Sequence, residues 1–241
     1  MVIVIRKDIY SFLERDVEVL IKNPRNRKCH LNTEIIFQFE SASLINGNIL
    51  LYRGNGRKNE HIASECYQLE NGVWKQHSKL NRETCLPLAS VVTTKTATYI
   101  FGGDRSNRTF EYLPTNSTFW KIGKSKIPFE FTYGNAVSDE LGKIIWLIGG
   151  LDSDTRRIHT FEIESHTFKE SSLRLITGRY LHQSALIPNT NKIIITGGKQ
   201  RQRGRDGKTL HSTEILDTES GKIIQGSHTI LYYIYISRSS F

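Results

Sequence analysis

The sequence predicts an all-β chain built from repeated four-stranded antiparallel units, the blades of a β-propeller. Three observations predict it. Glycine doublets close apolar runs at Tyr99-Ile-Phe-Gly102-Gly103, Trp146-Leu-Ile-Gly149-Gly150 and Ile194-Ile-Thr-Gly197-Gly198, at steps of 47 and 48 residues. One step of 48 before Gly102 lies Leu50-Leu-Tyr-Arg-Gly54-Asn55, where asparagine takes the second place. Asparagine tolerates positive φ best after glycine, so the exception points to a backbone requirement. Finally, each unit ends in a short hairpin with an aromatic or apolar pair seven positions apart: Tyr67 with Trp74, Tyr112 with Phe119, Phe161 with Phe168, Leu216 with Ile223.

Within a unit the elements follow in a fixed order. An alternating segment opens it (Ala42–Ile45, Leu88–Val92, Asn135–Val137, Ser184–Ile187), and the run ending in glycine comes second. A variable loop leads to two further strands around turn formers such as Asn71-Gly72, Pro114-Thr-Asn116-Ser117 and Glu219-Ser-Gly221. Glycine is needed where units converge, because a side chain there would collide and the chain must bend. The paired aromatics are predicted to bridge the outer two strands and fill the wedge between neighbouring units. No segment sustains a helical period; the nearest, Ser11–Leu20, has apolar residues at 12, 13, 17, 19 and 20.

Gly-Gly after a buried strand, then an aromatic pair of the Tyr-x6-Trp kind, resembles the kelch repeat over about residues 39–226. Arg179-Tyr-Leu-His182 ahead of the fourth unit resembles a common kelch lead-in, with His182 predicted to bond a neighbouring loop. Asn55, Leu216 and Ile223 depart from the pattern. The resemblance implies blades at about 39–77, 87–122, 133–171 and 182–226 of a single propeller domain. Val2–Ile5, Asp8–Leu13 and Val17–Ile21 read as three more strands, and Ile230–Ile236 as a fourth. Residues 1–21 with 229–236 would then form a shared fifth blade that hides both sheet edges; the alternative is a piece of a longer ring.

Composition excludes several classes. With 38% hydrophobic and 24% charged residues the chain is neither disordered nor collagen-like. Cys29, Cys66 and Cys85 form no CxxC pair, so neither a zinc knuckle nor a redox dithiol is indicated. The opening Met-Val-Ile-Val-Ile-Arg is too short for a signal-peptide core and Ile230–Ile236 too short for a span. Those features predict a cytoplasmic protein without membrane contact. Asn107-Arg-Thr and Asn116-Ser-Thr match the glycosylation tripeptide, a pattern common by chance.

Charge is where the sequence suggests function. The net charge is +9. Connections between second and third strands, and between successive units, hold 21 Lys/Arg against eight Asp/Glu, whereas the opposite connections hold four against six. Lys199-Gln-Arg201-Gln-Arg203-Gly-Arg205-Asp-Gly-Lys208 is the richest stretch and reads as a mobile basic arm. Together with Arg57, Arg105, Arg108, Arg156 and Arg157, its arginines Arg201, Arg203 and Arg205 are the candidate binding residues, suited to bidentate capture of carboxylate or phosphate. Several kelch propellers bind acidic peptides in this way, so the resemblance implies a non-catalytic scaffold or adaptor whose partner is an acidic peptide or protein surface. Actin-binding kelch proteins and galactose-oxidase-like copper enzymes are the family's alternatives. The basic loops lack an aromatic stacking platform, which argues against nucleic acid. Catalytic triads, phosphate loops and paired carboxylates are not found, and none of the eight histidines are spaced at i, i+2 or i, i+4, so neither enzymatic activity nor a cofactor is predicted.

Overall fold

The computed structural model describes residues 18–19, 29–30, 39–45, 48–53, 66–70, 73–77, 80–81, 89–103, 108–202 and 205–226. Among them there is no helix, and the strands make four four-stranded antiparallel sheets plus two two-stranded ones. Strands β1 (Glu18–Val19) and β2 (Cys29–His30) pair with each other. The other strands assigned to a shared closing sheet lie outside the described residues, as do Gly54 and Asn107.

Sheet one is β3 (Phe39–Ile45), β4 (Asn48–Arg53), β5 (Cys66–Glu70) and β6 (Val73–Gln76). Sheet two is β7 (Ala89–Thr93), β8 (Ala97–Gly102), β9 (Phe110–Pro114) and β10 (Lys121–Ile122). Sheet three is β11 (Asn135–Ser138), β12 (Ile144–Ile148), β13 (Arg157–Glu162) and β14 (Thr167–Arg174). In each, hydrogen bonding follows chain order. Sheet four has β15 (Gln183–Leu186), β16 (Lys192–Thr196), β19 (Thr213–Asp217) and β20 (Lys222–Gln225). Between its second and third strands it inserts a hairpin, β17 (Lys199–Gln202) with β18 (Arg205–Thr209).

Successive sheets meet along their first strands: β3 lies against β7, β7 against β11 and β11 against β15. The core fills the spaces between sheets because strand side chains alternate and both faces of a second strand are covered. From β8, Ile100 packs toward sheet one with Cys66, Leu80, Leu113 and Trp120, while Tyr99 and Phe101 pack toward sheet three with Phe110, Ile145, Leu147 and Phe161. From β12, Ile145 and Leu147 face sheet two, while Trp146 and Ile148 face Ile193, Ile195 and Leu216 of sheet four.

The glycine doublets sit where these sheets touch. Gly102, Gly103, Gly149, Gly150, Gly197 and Gly198 all have positive φ. A Cβ on Gly102 would overlap the Phe131 carbonyl, and one on Gly149 would come within 2.9 Å of the His182 ring. The second glycine of two doublets also donates across the junction, Gly103 to Phe131 O at 3.3 Å and Gly150 to Arg179 O at 3.0 Å.

The aromatic pairs require a correction. Phe161 faces Phe168 and Leu216 faces Ile223 directly, but Tyr112 faces Lys121, and Tyr67 faces Gln76 while Leu69 faces Trp74. Phe119 is 73% exposed and fills no wedge; its neighbour Trp120 is the buried residue. The reason is turn length. Glu70 is paired with Val73, three positions on, and Tyr112 with Lys121, nine positions on, so a constant spacing of seven cannot hold a constant register.

Candidate functional site

Strand geometry decides what the predicted arginines can do. Arg108 and Arg156 occupy the same place in sheets two and three, each at the approach to the third strand. Nε of Arg108 donates to Ile127 O at 3.2 Å and its Nη2 to Pro128 O at 2.9 Å, while Nε of Arg156 donates to Leu175 O at 2.7 Å. The bond is returned by the backbone: Ile127 N donates to Arg108 O and Leu175 N to Arg156 O, both at 2.9 Å. Ile127 and Leu175 are fully buried, so each arginine pins an inter-sheet connection to the core beneath it. Both guanidinium groups are partly spent on carbonyls.

Arg157 is neutralised more completely. It lies 3.4 Å from Asp152, 4.0 Å from Asp154 and 3.7 Å from Glu170, and its cross-strand partner Arg174 also pairs with Asp154 and Glu170. Two arginines thus share three carboxylates. The open cationic rim drawn from the sequence is smaller than its charge total, because part of that charge is offset by neighbouring carboxylates at the surface.

Lys199–Gln202 and Arg205–Thr209 form a paired hairpin and not a loose arm. Lys199 pairs with Thr209 and Gln200 with Lys208, after which the register slips so that Gln202 meets Arg205. Tyr180 clamps the base of the hairpin: its N–H donates to Lys199 O at 3.0 Å, and Lys199 N–H donates back to Tyr180 O at 2.8 Å. The Tyr180 hydroxyl lies where a Cβ on Gly207 would have to go, which explains glycine there. Arg201 then reaches across to sheet three and donates Nη1 to Asp152 O at 3.0 Å. Arg201, Gln202 and Lys208 are exposed. The structure therefore brings Arg156, Arg157 and Arg201 around the 151–157 connection, and keeps Arg108 with its own connection at 127–128. Arg57, Arg105 and Arg203 lie outside the described residues, and Arg205 is placed only as the first residue of β18.

Several roles were not singled out by the sequence, in which Arg179 stood only as part of a lead-in. Glu214 and Arg179 are fully buried and paired at 2.6 Å. Arg179 also donates Nη1 to Gly197 O and Ser212 O, both at 3.0 Å. Glu214 accepts from the Ile176 and Thr177 amides at 2.8 and 3.0 Å. Glu111, at the matching register position of sheet two, is buried and accepts from the Asn81 amide at 2.9 Å. In sheet three that position is His159, whose ring stacks on Phe129 with centroids 3.5 Å apart. One position on the third strand thus holds the incoming connection in all three sheets. The signal in the sequence was a carboxylate inside an apolar third strand, Phe110-Glu-Tyr-Leu and Thr213-Glu-Ile-Leu.

His182 differs from its expected role. It is buried, and neither ring nitrogen has a hydrogen-bond partner. Burial, with the Arg179 charge adding to it, pushes its pKa down to about 3. His159 falls to about 4, again chiefly through burial, with Glu170 opposing. Both rings are neutral at physiological pH.

Among the described residues no group of three or more His, Cys, Asp or Glu side chains converges as a metal site. No helix there is long and apolar enough to cross a membrane. The chain is thus defined as an all-β protein of four-stranded antiparallel sheets carrying an inserted basic hairpin. No protein-family model matches it, and no curated protein matches it.

Proposed function

We propose that this chain is a kelch-type propeller serving as a cytoplasmic, non-catalytic interaction module that takes an acidic peptide segment on the β17–β18 hairpin. The side-by-side first strands of successive sheets, with core packed in the wedges between them, support the radial arrangement. The hairpin carries the binding reading. It stands outside the four-strand meander, and its sequence holds Lys199, Arg201, Arg205 and Lys208 against the single carboxylate of Asp206. Tyr180 and the Arg201–Asp152 bond fix it in place, so a ligand meets a hairpin backbone already ordered rather than ordering it at its own cost.

Fluorescence titration with a Glu-rich peptide at rising salt tests this. Affinity should weaken steeply between low and high ionic strength, and R201S/K208S should weaken it by about tenfold, with melting lowered only by the loss of the one exposed Arg201–Asp152 bond. Affinity indifferent to salt and to both substitutions overturns the proposal.

A further inference from the structure

We propose that the acidic segment binds as an added β-strand along the open edge of β18; this rests on the acidic-ligand reading above and specifies its mode. In an antiparallel pair, residues alternate between directing N–H and C=O toward the partner strand and directing them away. Leu210 N–H donates to Gly198 O at 2.9 Å, which fixes that alternation. Lys199, the next residue along, turns its backbone away from β18 and gives both groups to Tyr180. Its ladder partner Thr209 must then turn its own N–H and C=O away from β17. Tyr180 occupies the outer side of β17, and among the described residues no strand but β17 pairs with β18. Among the described residues the hairpin therefore presents one open edge, at Thr209.

Charge selects the strand that can use it. An unprotected edge invites any extended chain, including a second copy of the same protein. Here a second hairpin adding along β18 would bring its own Lys208 close to the first, and opposed like charges on paired strands repel. A strand alternating carboxylate and apolar side chains meets the reverse situation: backbone bonds supply affinity, and the flanking cations supply the choice of partner. Two of the sheets' outer strands are poorer hosts. β10 offers two residues, and β14 carries Glu170, a carboxylate already engaged with arginines.

The test uses a peptide of about eight residues alternating Glu and Val, and two versions of it N-methylated at every second amide, one in each register. The parent and one methylated register should bind the intact protein, the other register should lose at least about tenfold, and Thr209 amide exchange should slow on binding. If both methylated registers bind as well as the parent, or Thr209 exchange is unchanged in a saturated complex, strand addition is overturned while the acidic-ligand reading stands. If the parent itself fails to bind at low salt, the acidic-ligand reading falls, and strand addition with it.

Discussion

The junction between sheets two and three and the junction between sheets three and four solve one geometric problem with different chemistry. At the first, Phe101, Phe110, Phe161 and Phe168 interlock, with Phe110 and Phe161 centroids 5.0 Å apart in an edge arrangement. At the second the wedge is largely aliphatic, with Ile148, Ile158, Ile193, Ile195 and Leu216, and the incoming connection is held by the buried Arg179–Glu214 pair. Aromatic packing is adaptable and loses strength in increments. A buried ion pair has a sharp failure mode, since removing one partner strands a desolvated charge. The repeat therefore fixes where a connection must be held and leaves open what holds it.

The largest effect should come from breaking the polar junction. E214A leaves Arg179 buried and unpaired, and should cost about 3–5 kcal/mol in urea unfolding. R179M/E214L should recover only part of that loss, because the Ile176 and Thr177 amides still lose their acceptor. An E214A cost below about 1 kcal/mol, the range of an ordinary surface change, would erase the distinction between the junctions.

Acid sharpens the comparison next, because each junction contains a histidine with a lowered pKa. In the unfolded chain these rings titrate near 6.5, and in the folded one at about 4 for His159 and about 3 for His182. The unfolded state binds more protons across that window, so the stabilising effect is complete above the unfolded value and is lost as pH falls toward the folded ones. Melting temperature should drop from pH 6.5 to pH 4, and H159F, which keeps the stack on Phe129, should flatten part of that slope. An identical slope in H159F and the parent would show that the aromatic junction takes no part in acid sensitivity.

The smallest effect lies at the outer rim of sheet two. Because Phe119 is 73% exposed, F119S should shift stability by less than about 0.5 kcal/mol. W120A, by contrast, should cost about 3–5 kcal/mol. Thermal melts of the two neighbours, run side by side, check that the register places one ring outside and the next inside.

How much of this was legible in the sequence follows the same division. The four-stranded sheets were readable because β-branched runs ending in glycine mark second strands, and positive φ at Gly102, Gly149 and Gly197 is the physical counterpart of that pattern. The register of the outer strands was not readable. It depends on turn length, and so Tyr112 meets Lys121 although Phe161 meets Phe168. The binding surface was readable only as a sum of charge. Nothing in a linear sequence distinguishes an arginine offered to a ligand from one such as Arg156, bound to Leu175 O, or Arg157, enclosed by Asp152, Asp154 and Glu170. The partner of Arg179 escaped notice because it lies 35 residues away, beyond an inserted hairpin.

That separation has a bearing on how the protein is made. Arg179 emerges before any of sheet four, and the carboxylate that neutralises it belongs to that sheet's third strand. During synthesis the segment between the sheets must wait, hydrated and undocked, until Glu214 has been translated and has folded back. The closing step of the third junction is thereby deferred to the fourth sheet, so a ribosome stalled between the two residues would leave a nascent chain whose last junction stays open.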